Sequence, residues 1–160
     1  MGLKIEPISE QDLDVVQEIV TRVWKDPIFV VHNETYHIAH LQGFKAVLDA
    51  HIVGCLHYQV NGQDCEILSF VSLQENQGIG SALLTAVESI AKTFNCEKLT
   101  LITTNDNLQA LGFYQRNGFR LTALYPGQVD ISRKIKPSIP LIGENNIPLR
   151  DEIKLEKTIS

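Results

Sequence analysis

Two β-rich segments in the middle of the chain, IVGCLHYQV and QDCEILSFVSL, are separated only by the pair Asn61 and Gly62. An Asn-Gly pair between such segments is the strongest short-range signal for a β-hairpin, because both residues tolerate the positive φ of a type I′ turn. We therefore predict an antiparallel hairpin that closes at Asn61. A central sheet with antiparallel strands is the first consequence for the fold.

Downstream of this hairpin the chain alternates between strands and helices. Ile79, Leu83 and Val87 recur at helical spacing after Gly78, and NDNLQALGFYQRN, which ends before Gly118, predicts a second helix. EKLTLITT, FRLTALY and the alternating LRDEIKLEK each predict a strand. This order predicts a mixed sheet with flanking helices, of the α/β or α+β class.

Other segments carry weaker patterns. LKIEP predicts a short strand, and Ser9 with Asp12 predicts a capping box before a helix that continues to Trp24. NETYHIAHLQ predicts a further helix. Residues 126–148 contain four prolines in 23 residues with little periodicity, which predicts a long loop.

Length and composition restrict the class of protein. A chain of 160 residues is typical of one domain, so residues 1–160 are expected to form a single unit. It has no apolar run of membrane-spanning length, and MGLKIEPISE lacks the apolar core of a signal peptide, which predicts a cytoplasmic protein without a membrane partner. A net charge of -5 argues against nucleic acid as a partner. The three cysteines suit neither a disulfide framework nor a zinc site and are expected in the core.

The segment QENQGIGSALL places Gly78 and Gly80 between a predicted strand and a predicted helix. No Lys-Ser or Lys-Thr follows the glycines, which excludes a Walker-type loop, and Leu83 stands where a dinucleotide fingerprint needs a small residue. The first amides of a helix and its dipole favour an anion such as a pyrophosphate. The alternative is that the two glycines only form a tight turn.

The second helix distinguishes between these interpretations. NDNLQALGFYQRNGF, together with GIGSALL and the preceding EILSFV, resembles the GNAT superfamily of N-acetyltransferases, and the tail is similar to that of small bacterial members. The resemblance covers about residues 46–121. It implies a mixed, mostly antiparallel central sheet of about seven strands flanked by about four helices. It further implies that the fourth and fifth strands splay apart around acetyl-CoA. Because relatives often dimerise, the resemblance also allows a homodimer.

The resemblance also implies roles for individual residues. The backbone at Phe70 and Val71 would bond the pantetheine amides, Gln77, Gly78, Gly80 and Ser81 would hold the pyrophosphate, Asn107 would contact the pantetheine arm, and Tyr114 would protonate the departing thiolate.

One part of the loop departs from the family pattern. Family members usually carry Arg or Gln three residues before the first matched glycine, with another glycine beside it, but this chain has Glu75 and Asn76 there. A carboxylate would repel a pyrophosphate, whereas an amide can donate to it. We therefore assign the contact to Gln77, with a register that is open by one or two residues.

Attack on a thioester requires a neutral amine. A lysine-like amine has a pKa near 10.4, so holding it neutral at pH 7 costs on the order of 4 to 5 kcal/mol. Glu66, on the strand before the glycine turn, is the first candidate for the base, because carboxylates on this strand serve that role in several relatives. Alternation would place Glu66 on the face of Leu68 and Phe70, although it is equally consistent with a solvent-facing acid.

Further candidates for the base are His57, Tyr58 and a water relay. The backbone near Val71 is the candidate for the oxyanion donor. Tyr114 is the candidate for the acid, but it could instead be an aromatic residue of the core. Leu111 and Phe113 could also fill that core role.

Metal binding and the acceptor depend on the least patterned segments. His32, His37 and His40 have no third acidic or thiol ligand at fixed spacing, so we predict no metal site. The acceptor, a primary amine of a small molecule or peptide, is expected to contact residues 24–43 and 126–148. Asp130, Glu144 and Asp151 could receive it or be surface charges.

The prediction is therefore an N-acetyltransferase that transfers acetyl directly from acetyl-CoA to an amine. Two alternatives remain open: a CoA-binding sensor or interaction module that has lost turnover, and an unrelated nucleotide-phosphate enzyme.

Overall fold

The computed structural model describes residues 2–159. The strands are β1 (Lys4–Pro7), β2 (Ile28–Val31), β3 (Glu34–His37), β4 (Gln42–Leu48), β5 (His51–Asn61), β6 (Asp64–Ser72), β7 (Lys98–Thr104), β8 (Arg120–Tyr125) and β9 (Glu152–Thr158). The α-helices of this part of the chain are α1 (Leu13–Trp24), α2 (Ile79–Thr93), α3 (Leu108–Arg116) and α4 (Gln128–Ile135).

Seven of the strands form the central sheet, in the order β1-β4-β5-β6-β7-β9-β8. All neighbours in it are antiparallel except β6 and β7, which run parallel. Their pairing covers only Asp64–Ile67 against Lys98–Leu101, so the two strands separate beyond Ile67. These are the fourth and fifth strands of the sheet in chain order, because β2 and β3 form a separate hairpin. The predicted mixed sheet with splayed strands is confirmed.

The start of the chain follows its local signals. Asp12 accepts a hydrogen bond from the Ser9 amide at 2.8 Å, and Lys45 of β4 binds the same carboxylate at 2.8 Å. A short 3-10 turn at Glu10–Asp12 leads into α1, which buries Val16 and its neighbours one turn away against the sheet. The predicted capping box and helix are confirmed.

The predicted helix in NETYHIAHLQ is wrong. β2 and β3 form a hairpin whose turn residues His32 and Asn33 both have positive φ, at 49° and 73°. Phe29 and Tyr36 stack across the two strands with their ring centroids 5.9 Å apart. Cross-strand aromatic packing and turn geometry therefore override the helical spacing of a polar segment.

The predicted hairpin near Asn61 is confirmed, but its turn lies one residue further on. Asn61 and Asp64 are directly opposite each other, so Gly62 and Gln63 form the loop. Of these two, Gly62 takes the positive φ, at 61°. A glycine at the first loop position suits a type II′ turn, which matches strand twist as well as type I′ does.

Residues 126–148, predicted to be a loop, contain α4. Gly127 precedes this helix with φ of 73°, and the Asp151 carboxylate accepts a hydrogen bond from the Gly127 amide at 2.8 Å. The Arg133 guanidinium then binds the carbonyl oxygens of Ile139, Pro140 and Leu149 at 2.7–3.0 Å. Contacts with residues far along the chain stabilise a helix that is too short to form by itself.

The core has two parts, one on each face of the sheet. One contains Ile79, Leu83 and Val87 of α2 with Tyr114 and Phe119, and the other joins α1 to Cys55 and Val71. Cys55, Cys65 and Cys96 are buried free thiols, as predicted. Within residues 2–159, no helix is both long and apolar enough to cross a membrane.

Candidate active site

A cleft of about 870 Å³ opens where β6 and β7 separate. Its first wall is formed by β6, the loop after it, the start of α2, and α3, through residues that include Phe70, Gln77, Gly80, Asn107 and Tyr114. Its second wall comes from elements distant in sequence, through residues that include Trp24, Phe29, Val31, Ile139 and Glu152. The splayed strands therefore produce the cleft directly.

A β-bulge changes β6 beside the cleft. His57 is opposite Ser69 and Tyr58 is opposite Ile67, which leaves Leu68 as an extra residue with no partner on β5. The bulge explains why Ile67 and Phe70, three residues apart, both pack in the core on the α2 face.

The edge of β6 that faces the gap has no strand partner beyond Ile67. The Leu73 amide donates to the Val53 carbonyl of β5 at 2.8 Å. Because ladder bonds alternate along an antiparallel strand, the polar groups of Val71 also face β5, whereas those of Phe70 face the gap. Phe70 therefore presents an amide and a carbonyl to the cleft.

The two glycines of the turn have different structural roles. Gly78 has φ of 73° and precedes α2, whose first helical bond runs from the Ala82 amide to the Gly78 carbonyl. A Cβ on Gly80 would come within 2.8 Å of the Phe113 ring, so Gly80 lets α3 approach closely. The amides before Ala82 have no helical acceptor and open on the cleft, an arrangement that favours an anion.

The side chains of this turn are exposed, including Glu75, Asn76, Gln77 and Ser81. Asn76 has φ of 59°, which an asparagine tolerates better than most residues. Because the Glu75 side chain is exposed, its carboxylate is not held against the N-terminus of α2.

Two side chains of the α3 region face the same cleft. Asn107 lies at the helix N-terminus, and its amide donates to the Thr103 hydroxyl at 3.3 Å. The Arg116 guanidinium folds back so that a Cβ on Gly112 would lie 2.9 Å from its Nη1. No sequence pattern indicated Arg116. Its position four residues after Gly112 on one helix face nevertheless lets its side chain lie over the glycine.

Tyr114 is buried at 8% exposure and also lines the cleft. Its ring packs against Phe70, Phe113 and Phe119 at centroid distances of 6.0, 5.6 and 5.5 Å. Burial raises the pKa of the Tyr114 phenol above its ordinary value, so the hydroxyl keeps its proton at neutral pH. Both sequence-based interpretations, core aromatic and proton donor, are compatible with this position.

Glu66 lies on the other face of β6. The bulge reverses the alternation, so Glu66 does not share a face with Phe70 as simple spacing predicts. Burial raises the pKa of its carboxyl, with a further contribution from Glu34 of the β2–β3 hairpin. Glu66 does not line the cleft, so its role as the base stays a prediction without a direct path to an amine there.

The other candidates for the base also lie outside the cleft lining. His57 is 1% exposed, its Nδ1 has no hydrogen-bond partner, and burial lowers its pKa to about 4. The Tyr58 hydroxyl donates to Gln42 at 3.3 Å, and its ring stacks on Phe44. Neither position suits proton exchange with a cleft ligand.

The three acids proposed for the acceptor have other partners or positions. Asp130 binds Arg133 at 2.6 Å on the α4 surface, Asp151 accepts from Gly127, and Glu144 lies in an exposed 3-10 turn. The buried carboxylate that lines the cleft is Glu152, next to Asp151, whereas Glu75 lines it with an exposed side chain. Side chains alternate between the two faces of a strand, so LRDEIKLEK places Glu152 on the face opposite Ile153. This alternation was the sequence pattern that could have identified Glu152.

The histidines also take separate places. The His37 and His40 rings stack at 5.1 Å, and His37 Nδ1 accepts from the Ala39 amide, while His32 contacts Glu152. Among residues 2–159, no three His, Cys, Asp or Glu side chains are grouped as metal ligands.

Comparison with known proteins adds the family. Residues 10–119 match the Acetyltransferase (GNAT) family. The chain belongs to the GNAT acetyltransferase family. This GNAT acetyltransferase is 40% identical to the uncharacterized protein YdhI of Bacillus subtilis (strain 168) over 156 residues, covering 97% of this chain and 98% of the relative.

Two solved structures share the fold of this GNAT acetyltransferase. A GNAT family acetyltransferase from Elizabethkingia anophelis with acetyl-CoA bound superposes with a TM-score of 0.68 at 23% identity, covering 98% and 97% of the two chains. A Bacillus subtilis acetyltransferase in complex with CoA gives a TM-score of 0.70 at 20% identity, covering 99% and 100%. Family membership supports acetyl transfer as the activity, with acetyl-CoA as a donor consistent with these structures.

Proposed function

We propose that this GNAT acetyltransferase transfers acetyl from acetyl-CoA to a primary amine by direct attack, with no acetyl-enzyme intermediate. The observation that carries the proposal is the unpaired edge of β6 at Phe70, which lies in one cleft with the open start of α2 and the Tyr114 hydroxyl. Such a cleft offers backbone partners for an amide-containing arm, donors for a pyrophosphate and a proton donor for a thiolate.

The first wall would hold the cofactor. The Phe70 carbonyl would accept a hydrogen bond from the pantetheine arm, and Asn107 would contact the arm from α3. The predicted contact from Val71 is not proposed, because the polar groups of Val71 face β5. Gln77, Gly78, Gly80 and Ser81 would hold the pyrophosphate, mainly through backbone amides at the start of α2. Arg116, whose guanidinium lines the cleft, would add a positive charge for a phosphate of CoA.

The chemistry follows from this placement. The amine nitrogen forms a bond to the thioester carbonyl carbon, the oxygen becomes negatively charged, and the Phe70 amide is the nearest unpaired backbone donor for it. The carbon–sulfur bond then breaks, and the sulfur takes a proton from Tyr114. The neutral amine nitrogen loses one proton to solvent, a proton from solvent restores the Tyr114 phenol, and the products are an amide and a free CoA thiol.

Tyr114 suits the role of a proton donor because burial keeps it protonated. A phenol with a raised pKa is a weak acid, so most of its effect would come from a hydrogen bond to sulfur as negative charge develops there. Packing against three phenylalanine rings holds the hydroxyl in one position.

The test combines ligand binding with turnover. CoA and acetyl-CoA should raise the melting temperature, whereas ATP and NAD should not, and thiol release from acetyl-CoA should depend on an added amine. Stabilisation by ATP or NAD but not by CoA would contradict the proposal. CoA binding without thiol release across a panel of alkyl amines, aryl amines, polyamines and peptides would favour a CoA-binding module instead.

A matched pair of variants tests the loop register. Gln77→Ala should raise the KM for acetyl-CoA several-fold, because it removes an amide donor beside the pyrophosphate site. Gln63→Ala, in the exposed β5–β6 turn, is the control and should leave this KM unchanged. An equal effect of both variants would show that Gln77 makes no specific contact.

A further inference from the structure

Glu152 is a buried carboxylate in the second wall of the cleft, with 3% of its surface exposed. It is the first residue of β9, opposite Thr104 at the separated end of β7 and opposite Tyr125 of β8. The sheet therefore fixes its backbone on both sides, and its carboxylate occupies a defined place in the cleft.

The hydrogen bonds of this carboxylate are few and long. Its Oε2 accepts from the His32 amide at 3.4 Å, and its Oε1 lies 3.3 Å from His32 Nδ1. Within residues 2–159, His32 is its only ion-pair partner. A carboxylate has about four acceptor positions, and burying one without a permanent cation is costly.

Nearby cations are held by other acids. Lys136, which also lines the cleft, binds Asp26 at 3.1 Å, and Lys154 on β9 lies 3.4 Å from Glu156. The unmet capacity of Glu152 is therefore available to a cation that enters the cleft from outside.

His32 connects this carboxylate to solvent. Its side chain is 43% exposed, and its ring packs edge-on against Tyr125 at a centroid distance of 4.4 Å. The neighbouring Asn33 accepts a hydrogen bond from Gln128 of α4 at 2.8 Å, which ties the β2–β3 turn to the body of the protein. The His32 ring is therefore held in contact with Glu152.

Apart from Glu152 and Lys136, the side chains of the second wall are apolar. Val23, Trp24, Phe29, Val31 and Ile139 all line the cleft, and Trp24 is 47% exposed. A ligand that satisfies this wall combines one positive charge with an aliphatic or aromatic body.

We propose that Glu152 binds the ammonium group of the acceptor and removes its proton, with His32 as the positioning residue that passes this proton to solvent, and that the acceptor is a primary amine on an apolar body. This inference rests on the proposed function. The nitrogen gives a proton to a Glu152 oxygen, His32 Nδ1 takes it, and Nε2 releases a proton to water, so the carboxylate is restored for each turnover. Two other ionisable groups face His32: Tyr125 of β8, against which its ring packs, and Glu66 of β6, with which its charge interacts.

The first experiment compares Glu152→Gln with Glu156→Gln, a matched change on the same strand. With acetyl-CoA and 2-phenylethylamine as the probe, kcat/KM should fall at least ~30-fold in Glu152→Gln and less than ~3-fold in Glu156→Gln, a difference of about one to two powers of ten. The melting-temperature increase caused by CoA should be the same in both variants and in the wild type.

The outcomes separate this inference from the proposed function. Wild-type protein that is not stabilised by CoA overturns the proposed function. Normal CoA binding with full activity of Glu152→Gln overturns only the role of Glu152. Equal stabilisation of the wild-type protein by 2-phenylethylamine and 2-phenylethanol, each with CoA, also overturns it, because a carboxylate should prefer the ammonium.

A second variant tests His32 without disturbing its turn. His32 has φ of 49°, which asparagine tolerates, so His32→Asn should keep the hairpin and remove the imidazole. The kcat should fall about 3- to 10-fold while the KM for the amine stays within about 2-fold, since Glu152 still binds the ammonium. A rise in KM with unchanged kcat would show that His32 only shapes the pocket.

Discussion

The two walls of the cleft differ in how the chain builds them. The first wall is assembled from β6, α2 and α3, which follow one another between residues 64 and 116. The second wall joins the end of α1, β2, the segment after α4 and the first residue of β9, so its residues lie as far apart in the chain as Val23 and Glu152. A local motif can specify the first wall, whereas the second exists only after the whole chain has folded.

The largest expected effect of a substitution is in the first wall, at Tyr114. Tyr114→Phe keeps the ring packing and removes the proton, so kcat should fall about 100-fold with every amine, since general acids typically contribute at least that much. The measurement is steady-state thiol release, with the melting temperature as the check on folding. Tyr36→Phe, which removes a hydroxyl bonded to Glu34 on the β2–β3 hairpin, is the control. Unchanged kcat in Tyr114→Phe would mean that this tyrosine serves only the core.

A second effect concerns the packing of the first wall. Gly80→Ala would place a Cβ 2.8 Å from the Phe113 ring, so we expect a loss of about 1 to 3 kcal/mol in the free energy of unfolding and weaker CoA binding. Denaturant unfolding measures the first quantity and calorimetry the second. Adding Phe113→Leu should restore part of the stability. No rescue would show that a contact other than the one with Phe113 disfavours a side chain at this position.

A smaller effect concerns the charge at the cofactor. Arg116→Gln should raise the Kd of CoA about 3- to 10-fold, or about 0.7 to 1.4 kcal/mol, and should not change the KM of the amine. Calorimetry with CoA and with dephospho-CoA distinguishes which phosphate the guanidinium contacts. If Arg116→Gln changes both the Kd of CoA and the KM of the amine, the cofactor wall and the acceptor wall do not act independently.

The smallest effect is on the pH dependence of stability. Burial raises the pKa of Glu152 in the folded protein, so between its unfolded and folded pKa values the folded state binds more protons, and stability falls as pH rises. Glu152→Gln removes this fall in stability. The melting temperature of the variant minus that of the wild type should therefore be larger at pH 8 than at pH 4. His32 modulates this effect, because its hydrogen bonds and its charge act to lower the pKa of Glu152. An equal difference at both pH values would argue that Glu152 has an ordinary pKa.

Sequence patterns predicted most of the elements that belong to the first wall. Asn61 and Gly62 indicated the hairpin, and Gly78 and Gly118 marked helix boundaries, because turns and helix ends depend on the backbone preferences of a few neighbouring residues. The same patterns were wrong for β3, which lies in a predicted helix, and for α4, which lies in a predicted loop, and they indicated no element at β2. These short elements are stabilised by contacts with distant residues, which no local spacing records.

The site shows the same division at the level of single residues. The resemblance to the family placed Tyr114 and Asn107 beside the cofactor, and both line the cleft, but one extra residue at Leu68 placed Glu66 on the other face of the sheet. Asp130, Glu144 and Asp151 were predicted either to receive the acceptor or to be surface charges, whereas the buried carboxylate of the cleft is Glu152.

By itself, the sequence determined the family, the order of the central strands and helices, and the motif that opens on the cofactor side of the cleft. The tertiary structure decided which carboxylate is buried there and which aromatic residues surround it. The physical reason is that a glycine turn or a helix cap is satisfied by its neighbours, whereas Glu152 meets His32 only when β9 pairs with β7 and β8 beneath the β2–β3 hairpin.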